Sequence, residues 1–348
     1  MKDMKKRREI GSEFEHAALG GRPSKLTLPK DFCPTWTLSG RTAIDLAIHD
    51  AGHIRKVCIP SYCCTSMIEP FLDNGIEVSY YQVSFDGGLC IDLRIPMDCD
   101  ALLIMSYFGY SCQIAMDELY AFKKRGGVVI EDITHMLFAP DACGKISDYL
   151  VASVRKWGPV ISGGFVAVRN REIRTELVAP DAVFLHDRQK AMRLKEEYLL
   201  GADVDKHSFL QLYREANEWL AKHYRNCAID NESSGILSKW NCDQIVTRRR
   251  ANAAYLHMLL EGSDIVTPVF TAEQIQCPLF VPVTVREGKR KNLQNRLREN
   301  GIYCPIHWPK PETGCESNLY DLELSLICDQ RYVEQDMLRI VSVINSRK

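Results

Sequence analysis

The chain has 348 residues, of which 46% are hydrophobic, so it is long enough for one large domain or two medium ones with a packed core. Its 44 Lys and Arg residues are balanced by 45 Asp and Glu residues, which excludes a global positive field for nucleic acid or an anionic membrane surface. The basic stretch MKDMKKRREI is followed by the polar GSEFEH, which predicts neither a secretory signal nor a membrane anchor. We therefore expect a folded cytoplasmic protein without a nucleic-acid or membrane partner.

The first part of the chain alternates helix-like and strand-like segments. Apolar residues at helical spacing predict helices, and short apolar runs predict buried strands. The predicted helices are TAIDLAIHDA (42–51), CTSMIEPFLDNG (64–75) and MDELYAFKKRGG (116–127), and the predicted strands are KVCIP (56–60), IEVSYYQV (76–83), ALLIMSY (101–107), VVIED (128–132), YLVAS (149–153) and GFVAV (164–168). This alternation predicts an α/β domain whose mostly parallel sheet is covered on both faces.

The second part of the chain has longer and more polar helices. The predicted elements are helices at 186–200, 208–224 and 247–262, a strand at 278–285, a helix at 291–301, a strand at 301–308 and a helix at 334–344. The final segments predict a smaller α+β unit. We expect an N-terminal arm over residues 1–30, a large domain over 31–235 and a small C-terminal domain over 236–348.

The fourteen cysteines are scattered through apolar segments without any C-x-x-C pair. Free cysteine behaves as a small hydrophobe, and disulfides are rare in a reducing compartment. We therefore expect buried free thiols and no metal site.

The stretch SGRTAI places Ser39, Gly40, Arg41 and Thr42 at the start of a predicted helix. Free N–H groups and the positive end of the dipole at such a start suit a phosphate. The alternative is an ordinary capped helix, with Ser39 or Thr42 as the N-cap.

Two further stretches follow buried strands. Asp132 ends the strand in VVIEDITH, where a carboxylate is costly to bury unless a cation or a donor meets it, and His135 follows three residues later. In SVRKWGPVISGG, Lys156 follows Ser153 and stands beside Arg155. Apolar walls and a neighbouring cation disfavour the charged form of a lysine and make it a better nucleophile toward carbonyls. The alternatives are a capping aspartate, a loop histidine and a surface lysine.

Taken together, these features match the needs of pyridoxal phosphate. Ligands of parallel α/β sheets sit beyond the carboxyl ends of the strands, where all three features fall. The helix start and Ser153 would hold the phosphate, Asp132 would keep the pyridine nitrogen protonated, and Lys156 would bond to the aldehyde.

The ordered motifs resemble the DegT/DnrJ/StrS family of sugar aminotransferases. SGRTAI is similar to the family's SGTAAL, IPSYCCTSM (59–67) to VPSFTFIAT, and VIEDITHM to VIEDAAQA. The lysine segment of the family also has a serine before the lysine and a glycine pair after it, and the tail LSLICDQRYVEQDMLRIVSVI resembles its closing strand and helix. The resemblance runs from about residue 35 to the C-terminus.

This resemblance implies a fold-type I enzyme with pyridoxal 5'-phosphate as cofactor and a transamination in two stages. It implies Lys156 and Asp132 as catalytic residues, and the cofactor-binding residues it implies are Gly40, Arg41, Thr42, Cys64, Asp132, His135, Ser153 and Lys156. The implied substrates are an amino donor, expected to be glutamate, and a keto group of a nucleotide-linked keto-deoxysugar, with a role in polysaccharide biosynthesis and a homodimeric assembly.

Departures from the family pattern leave alternatives. His135 stands where the family usually has glutamine, and Cys64 stands where the family often stacks an aromatic side chain on the cofactor, with Tyr62 as a nearby substitute. The cofactor alone does not dictate which bond breaks, so an elimination or a C–C lyase reaction is an alternative, as is a catalytically idle regulatory relative. Lys156 argues against the family's dehydratases, in which the lysine is replaced by histidine.

Two further segments are candidates for substrate contacts. The three arginines of RRRAN (248–252) would suit a nucleotide diphosphate, or they form a solvated helix face. CPIHWP (304–309) places His307 and Trp308 between prolines, as a lid over a sugar or as a packing anchor.

Overall fold

The computed structural model describes residues 8–16, 22–312 and 316–346. The strands in these ranges are β1 (Ile10–Gly11), β2 (Phe32–Thr37), β3 (Lys56–Pro60), β4 (Glu77–Phe85), β5 (Leu89–Asp92), β6 (Ala101–Met105), β7 (Val128–Asp132), β8 (Tyr149–Ser153), β9 (Gly164–Arg169), β10 (Val266–Pro268), β11 (Val281–Val285), β12 (Ile302–Tyr303) and β13 (Glu323–Leu326). The α-helices are α1 (Gly40–Ala51), α2 (Thr65–Asp73), α3 (Met116–Lys124), α4 (Ala182–Leu199), α5 (Lys206–Lys222), α6 (Asn231–Leu237), α7 (Cys242–Leu260), α8 (Arg290–Glu299), α9 (Leu319–Leu322) and α10 (Glu334–Asn345). In the part of the chain so described, no helix has the length and apolar character needed to cross a membrane.

An eight-stranded sheet forms the centre of the large unit, in the order β2-β9-β8-β7-β6-β3-β4-β5. The strands from β8 to β4 in this order are mutually parallel, and β2, β5 and β9 join through antiparallel pairings. All five residues of β6 are buried, as expected for a strand with both faces covered. Helix α1 packs against β8 and β9, and α2 packs against α1, so the apolar face of α1 lies in the core.

A smaller sheet of β10, β11 and β13 is antiparallel throughout. Its core includes apolar residues of α7, α8 and α10. The unit has the α+β character that the sequence predicts for the C-terminal part. The boundaries at residues 31 and 236 stay a proposal.

The N-terminal segment is joined to this smaller unit. Strand β1 pairs in parallel with β12, so that Ile10 stands opposite Ile302 and Gly11 opposite Tyr303. The predicted strand over 301–308 is reduced to β12, because Pro305 and Pro309 have no N–H group and cannot continue a ladder.

The segment between β8 and β9 is too short for the crossover that a parallel pair of strands needs. Ser153 stands opposite Gly164, so β9 runs antiparallel to β8. Gly163 makes this return with φ +143°, a conformation that side chains rarely adopt, and its N–H donates to the Leu38 carbonyl at 2.7 Å. A Cβ atom at Gly163 would lie 2.5 Å from Cγ2 of the buried Val154. The glycine pair therefore fixes the geometry of the segment that carries Lys156.

We predict that Gly163→Ala lowers the free energy of unfolding by about 3 kcal/mol, because it adds both backbone strain and a clash in the core. Gly262→Ala is the control: φ is also positive there, at +71°, but a Cβ atom would meet open space. That variant should lose only about 1 kcal/mol. Urea unfolding followed by circular dichroism measures both, and equal losses would show that Val154 leaves room for the methyl group.

Candidate functional site

Helix α1 begins at Gly40, with Ser39 as its N-cap. The Ser39 hydroxyl accepts a hydrogen bond from the Thr42 N–H at 3.2 Å, and the Thr42 hydroxyl donates to the Tyr224 carbonyl at 2.7 Å. Thr42 is therefore buried with its polar groups already bonded. The N–H groups of Gly40 and Arg41 have no acceptor within the helix, because the first N–H groups of a helix precede its hydrogen-bond ladder. They bring the positive end of the helix dipole to this edge of the sheet.

The start of α1 lies almost in contact with the ends of two strands. A Cβ atom at Gly40 would lie 3.1 Å from the Ser153 Cβ, and one at Gly164 would lie 2.3 Å from the Ser39 carbonyl carbon. Only glycine permits this approach at Gly164 without a shift of the backbone. The close packing places the free amides of α1 beside the segment that follows β8.

Lys156 closes a 3₁₀ turn, Val154–Lys156, that follows β8 directly. The next residue, Trp157, is fully buried. Its indole N–H donates to the Thr134 carbonyl at 2.7 Å, and its own carbonyl accepts a hydrogen bond from the Gln330 side chain at 2.6 Å. The turn is thus fixed from the large unit and from the C-terminal part of the chain, while the Lys156 side chain stays exposed to a cavity.

Arg249 supports the same turn from the other side. Its guanidinium lies over the Trp157 ring at 4.5 Å and donates to the Pro278 and Leu279 carbonyls at 3.2 and 2.9 Å. Arg249 is buried, whereas Arg250 is exposed. The arginines at 248–250 therefore form neither a uniform solvated face nor one continuous binding surface.

Asp132 lies at the end of β7, where the sequence predicts it. It is buried, and its Oδ1 accepts the Thr134 N–H at 2.8 Å. Burial raises the pKa of Asp132 above its usual range, although the Thr134 hydrogen bonds and Lys156 oppose this effect. Among the described residues, Asp132 forms no salt bridge, so this carboxylate lacks a directly bonded cation.

The buried His135 pairs with the half-buried His307. Its Nδ1 accepts the Phe108 N–H at 3.0 Å, and its Nε2 lies 3.1 Å from Nε2 of His307. Burial, with Lys156 nearby, lowers the pKa of both histidines well below the ordinary range, so both rings are neutral. A neutral ring that accepts at Nδ1 carries its hydrogen on Nε2, so His135 donates to His307. Trp308 stacks on His135, with ring centroids 5.6 Å apart.

A cavity of about 90 Å³ lies between the start of α1, the end of β7 and the lysine turn. The cavity brings together seven of the eight cofactor-binding residues implied by the sequence: Gly40, Arg41, Cys64, Asp132, His135, Ser153 and Lys156. Thr42 does not reach it. Tyr62 does not line it either, because this ring is buried against Trp308 and Tyr320, whereas Trp308 itself forms part of the wall. Within the described ranges, no cluster of His, Cys, Asp and Glu has the composition of a metal site.

A second cavity of about 500 Å³ meets the first at Ser153, Arg155 and Lys156. Its lining includes His307 from the C-terminal part of the chain and Glu13 from the N-terminal segment. The sequence alone points to His307 only through its position between prolines, and it gives no signal for Glu13. Lys156 thus lies at the junction of the smaller cavity and the larger one.

Comparison with known proteins gives matches of structure alone. No family model matches the chain, and no curated protein is similar to it in sequence. Among solved structures, sugar aminotransferase CalS13 from Micromonospora echinospora is similar, with a TM-score of 0.61 and 19% identity over 89% of this chain and 86% of that one. DesI in the presence of its TDP-sugar product has a TM-score of 0.59 and 15% identity over 89% of this chain and 79% of that one. NtdA from Bacillus subtilis with bound cofactor PMP has a TM-score of 0.60 and 16% identity over 90% of this chain and 73% of that one. The predicted fold class, with a mostly parallel central sheet and a smaller α+β unit, is confirmed.

Glu323 fixes the backbone under His307 and carries a testable pH dependence. Its carboxylate accepts the Ser325 hydroxyl at 2.6 Å and the His307 N–H at 2.8 Å. Burial raises the pKa of Glu323 from 4.5 to about 7. Because folding raises this pKa, the protonated Glu323 side chain makes its full contribution to stability below the pKa of the unfolded chain, 4.5. This contribution is lost as the pH rises through about 7.

We predict that Glu323→Gln removes this dependence. Gln can accept from the His307 N–H and donate to the Ser325 hydroxyl, but it has no charge to bury. The free energy of unfolding of the variant, relative to that of the wild type, should rise by about 3 kcal/mol as the pH is raised from about 4 to about 8. Urea unfolding across this range measures the difference, with the exposed Glu299→Gln as control. A difference between wild type and Glu323→Gln that stays constant with pH would contradict the raised pKa.

Proposed function

We propose that the chain is a pyridoxal-phosphate-dependent aminotransferase that transfers an amino group from glutamate to a keto group of a nucleotide-linked sugar. The observation that carries the proposal is that Lys156, Asp132 and the amide-bearing start of α1 line one cavity. The resemblance of the sequence to the DegT/DnrJ/StrS family and the fold shared with sugar aminotransferase CalS13 support it. The TDP-sugar in the DesI structure and the PMP in the NtdA structure support the substrate class and the cofactor class.

The residues present fit this cofactor. The buried Asp132 carboxylate forms no salt bridge among the described residues, and a protonated pyridine nitrogen would supply the missing cation. The N–H groups of Gly40 and Arg41 are donors for a phosphate at a helix start. Lys156 provides the amine, and its turn is held by the bonds of Trp157. When bound, pyridoxal phosphate supplies an electron-accepting ring beside the substrate.

The chain itself supplies binding, orientation and proton transfer. Asp132 holds a positive charge at the end of β7, and its bond from Thr134 fixes the carboxylate plane. Ser153 and the α1 amides bind the phosphate. Lys156 Nζ carries the proton between substrate atoms, because its short turn brings it to the junction of the two cavities. The larger cavity, whose wall includes the neutral His307, holds the substrate, and Trp308 covers the smaller cavity.

Assembly and location form a finer part of this proposal. We place the enzyme in the cytoplasm as a homodimer, with a role in polysaccharide biosynthesis. Most cysteines at described positions are buried, which suits a reducing compartment. The homodimer rests on the family resemblance, and light scattering of the purified protein tests it.

We predict that wild-type protein mixed with pyridoxal phosphate acquires a visible absorption band distinct from that of the free aldehyde, and that Lys156→Ala does not, because the covalent link is lost. Asp132→Asn should keep the band but reduce the rate of the glutamate half-reaction about a thousandfold, because the ring nitrogen loses its charged partner. Absorbance titration and 2-oxoglutarate release measure these effects.

Lys123→Ala is the control, since this lysine pairs with Asp148 outside both cavities and its loss should leave the band intact. A band that persists in Lys156→Ala, or a wild-type band that glutamate does not change, would overturn the assignment.

A further inference from the structure

The larger cavity is lined by two guanidinium groups, that of the buried Arg188 and that of the half-buried Arg155. Arg155 and Arg188 both line it, next to Lys156. The Nε atoms of both arginines are buried without a hydrogen-bond partner. Burial, with Arg188 as the next cause, lowers the pKa of Arg155 to about 9. Two cations that are largely withdrawn from water in one cavity favour an anion between or near them.

Two carboxylates of the described residues line this cavity, Glu13 and Asp329, and Asp329 pairs with Arg331 at 2.8 Å, which leaves Glu13 for Arg188. Oε2 of Glu13 lies 3.3 Å from Nη2 of Arg188, and Glu13 lines the same cavity. Partial burial opposes its ionisation, but Arg188, Arg155 and Lys195 outweigh this effect and lower the pKa of Glu13. The Glu13 side chain is 40% exposed, so a ligand in the cavity can reach it.

The backbone around Glu13 is held by other groups. Arg331 donates to the Ser12 and Glu13 carbonyls at 3.2 Å each, and the Tyr213 hydroxyl donates to the Phe14 carbonyl at 2.8 Å. The Glu13 carbonyl also accepts a hydrogen bond from Lys195. Residues 10–16, which we name the N-terminal strap, therefore do not depend on the Glu13 carboxylate for their position. The carboxylate is free to leave the arginines while the strap stays.

We propose that Arg155 and Arg188 form a carboxylate site for the distal carboxylate of a dicarboxylic amino donor, and that Glu13 is its internal occupant, which the donor displaces. The inference rests on the proposed aminotransferase function. A glutamate side chain of the chain already fits the site, so the distal end of a free glutamate has the matching shape and charge. The neighbouring Lys156 lies where the amino end of such a donor would react.

Equilibrium binding to the full chain tests the site without any reaction. The probe is glutarate, a dicarboxylate without an amino group, and its neutral diamide glutaramide is the matched control. Glu13→Gln removes the competing carboxylate but keeps the side-chain shape, so it should bind glutarate about tenfold more tightly than the wild type. Arg188→Met should bind it at least about tenfold more weakly. Isothermal titration calorimetry measures both, and glutaramide should bind to neither.

Several results would overturn the proposal. Unchanged or weaker glutarate binding in Glu13→Gln would show that Glu13 does not compete, a result that holds even if Arg188→Met fails to fold. Inorganic phosphate binding Glu13→Gln more tightly than glutarate would show a phosphate site. Loss of hydrogen-exchange protection at the Ile10 and Gly11 amides in Glu13→Gln would show that the carboxylate fixes the strap.

The two proposals fail separately. If Lys156 forms no link to the cofactor but glutarate binds as expected, the carboxylate site stands as a dicarboxylate site and the aminotransferase function falls. If the visible band forms and responds to glutamate but Glu13→Gln leaves glutarate binding unchanged, the function stands and the carboxylate site falls.

Discussion

The site depends on one close approach, between the start of α1 and the ends of β8 and β9. Gly40 lies against the Ser153 Cβ, and Gly164 lies against the Ser39 carbonyl, so only the small Ser153 side chain stands between the helix start and these strands. Because β7 is parallel to both of its neighbours, β6 and β8, its last residue, Asp132, lies at the same edge of the sheet as the end of β8. A larger residue at Gly164 would push α1 away and separate its free amides from the lysine turn. The chemistry at this edge therefore rests on backbone contact that only glycine allows.

Positive charge accumulates around Lys156. Arg41 pairs with Glu69 at 2.6 Å, Arg188 with Glu13 at 3.3 Å, and Arg155 has no salt bridge among the described residues. Such a distribution is unfavourable in a buried site unless anions complete it. A phosphate at the α1 start and a carboxylate in the larger cavity would each neutralise part of this charge. Binding of anionic ligands and stability of the site are thus expected to support each other.

The sequence predicts the parts of the site that follow from local rules. Asp132 and Ser153 end apolar strands, Ser39 caps a helix, and the glycine pair marks a return, so each is visible in a short window. Edge strand β2 escapes prediction because Pro34 interrupts its pattern. Strand β9 is predicted over 164–168, but its antiparallel direction is not, because pairing direction depends on a turn. Glu13 and Arg188 come together from segments 175 residues apart, and no local pattern encodes such a contact. Thr42 lies in the right motif, yet its side chain turns to the Tyr224 carbonyl because Ser39 already caps the helix.

A hydrogen bond between His135 and His307 links the two units. The Phe108 N–H fixes His135 as an acceptor at Nδ1, and Phe108 holds the left-handed conformation, φ +57°, that is uncommon for a bulky residue. The one remaining hydrogen of His135, on Nε2, goes to His307. If His135 bonds to a cofactor oxygen, as the sequence resemblance implies, it must release His307 or share this hydrogen with it. Since Glu323 holds the His307 backbone on the smaller sheet, cofactor loading and the position of the segment around His307 become coupled through this hydrogen bond.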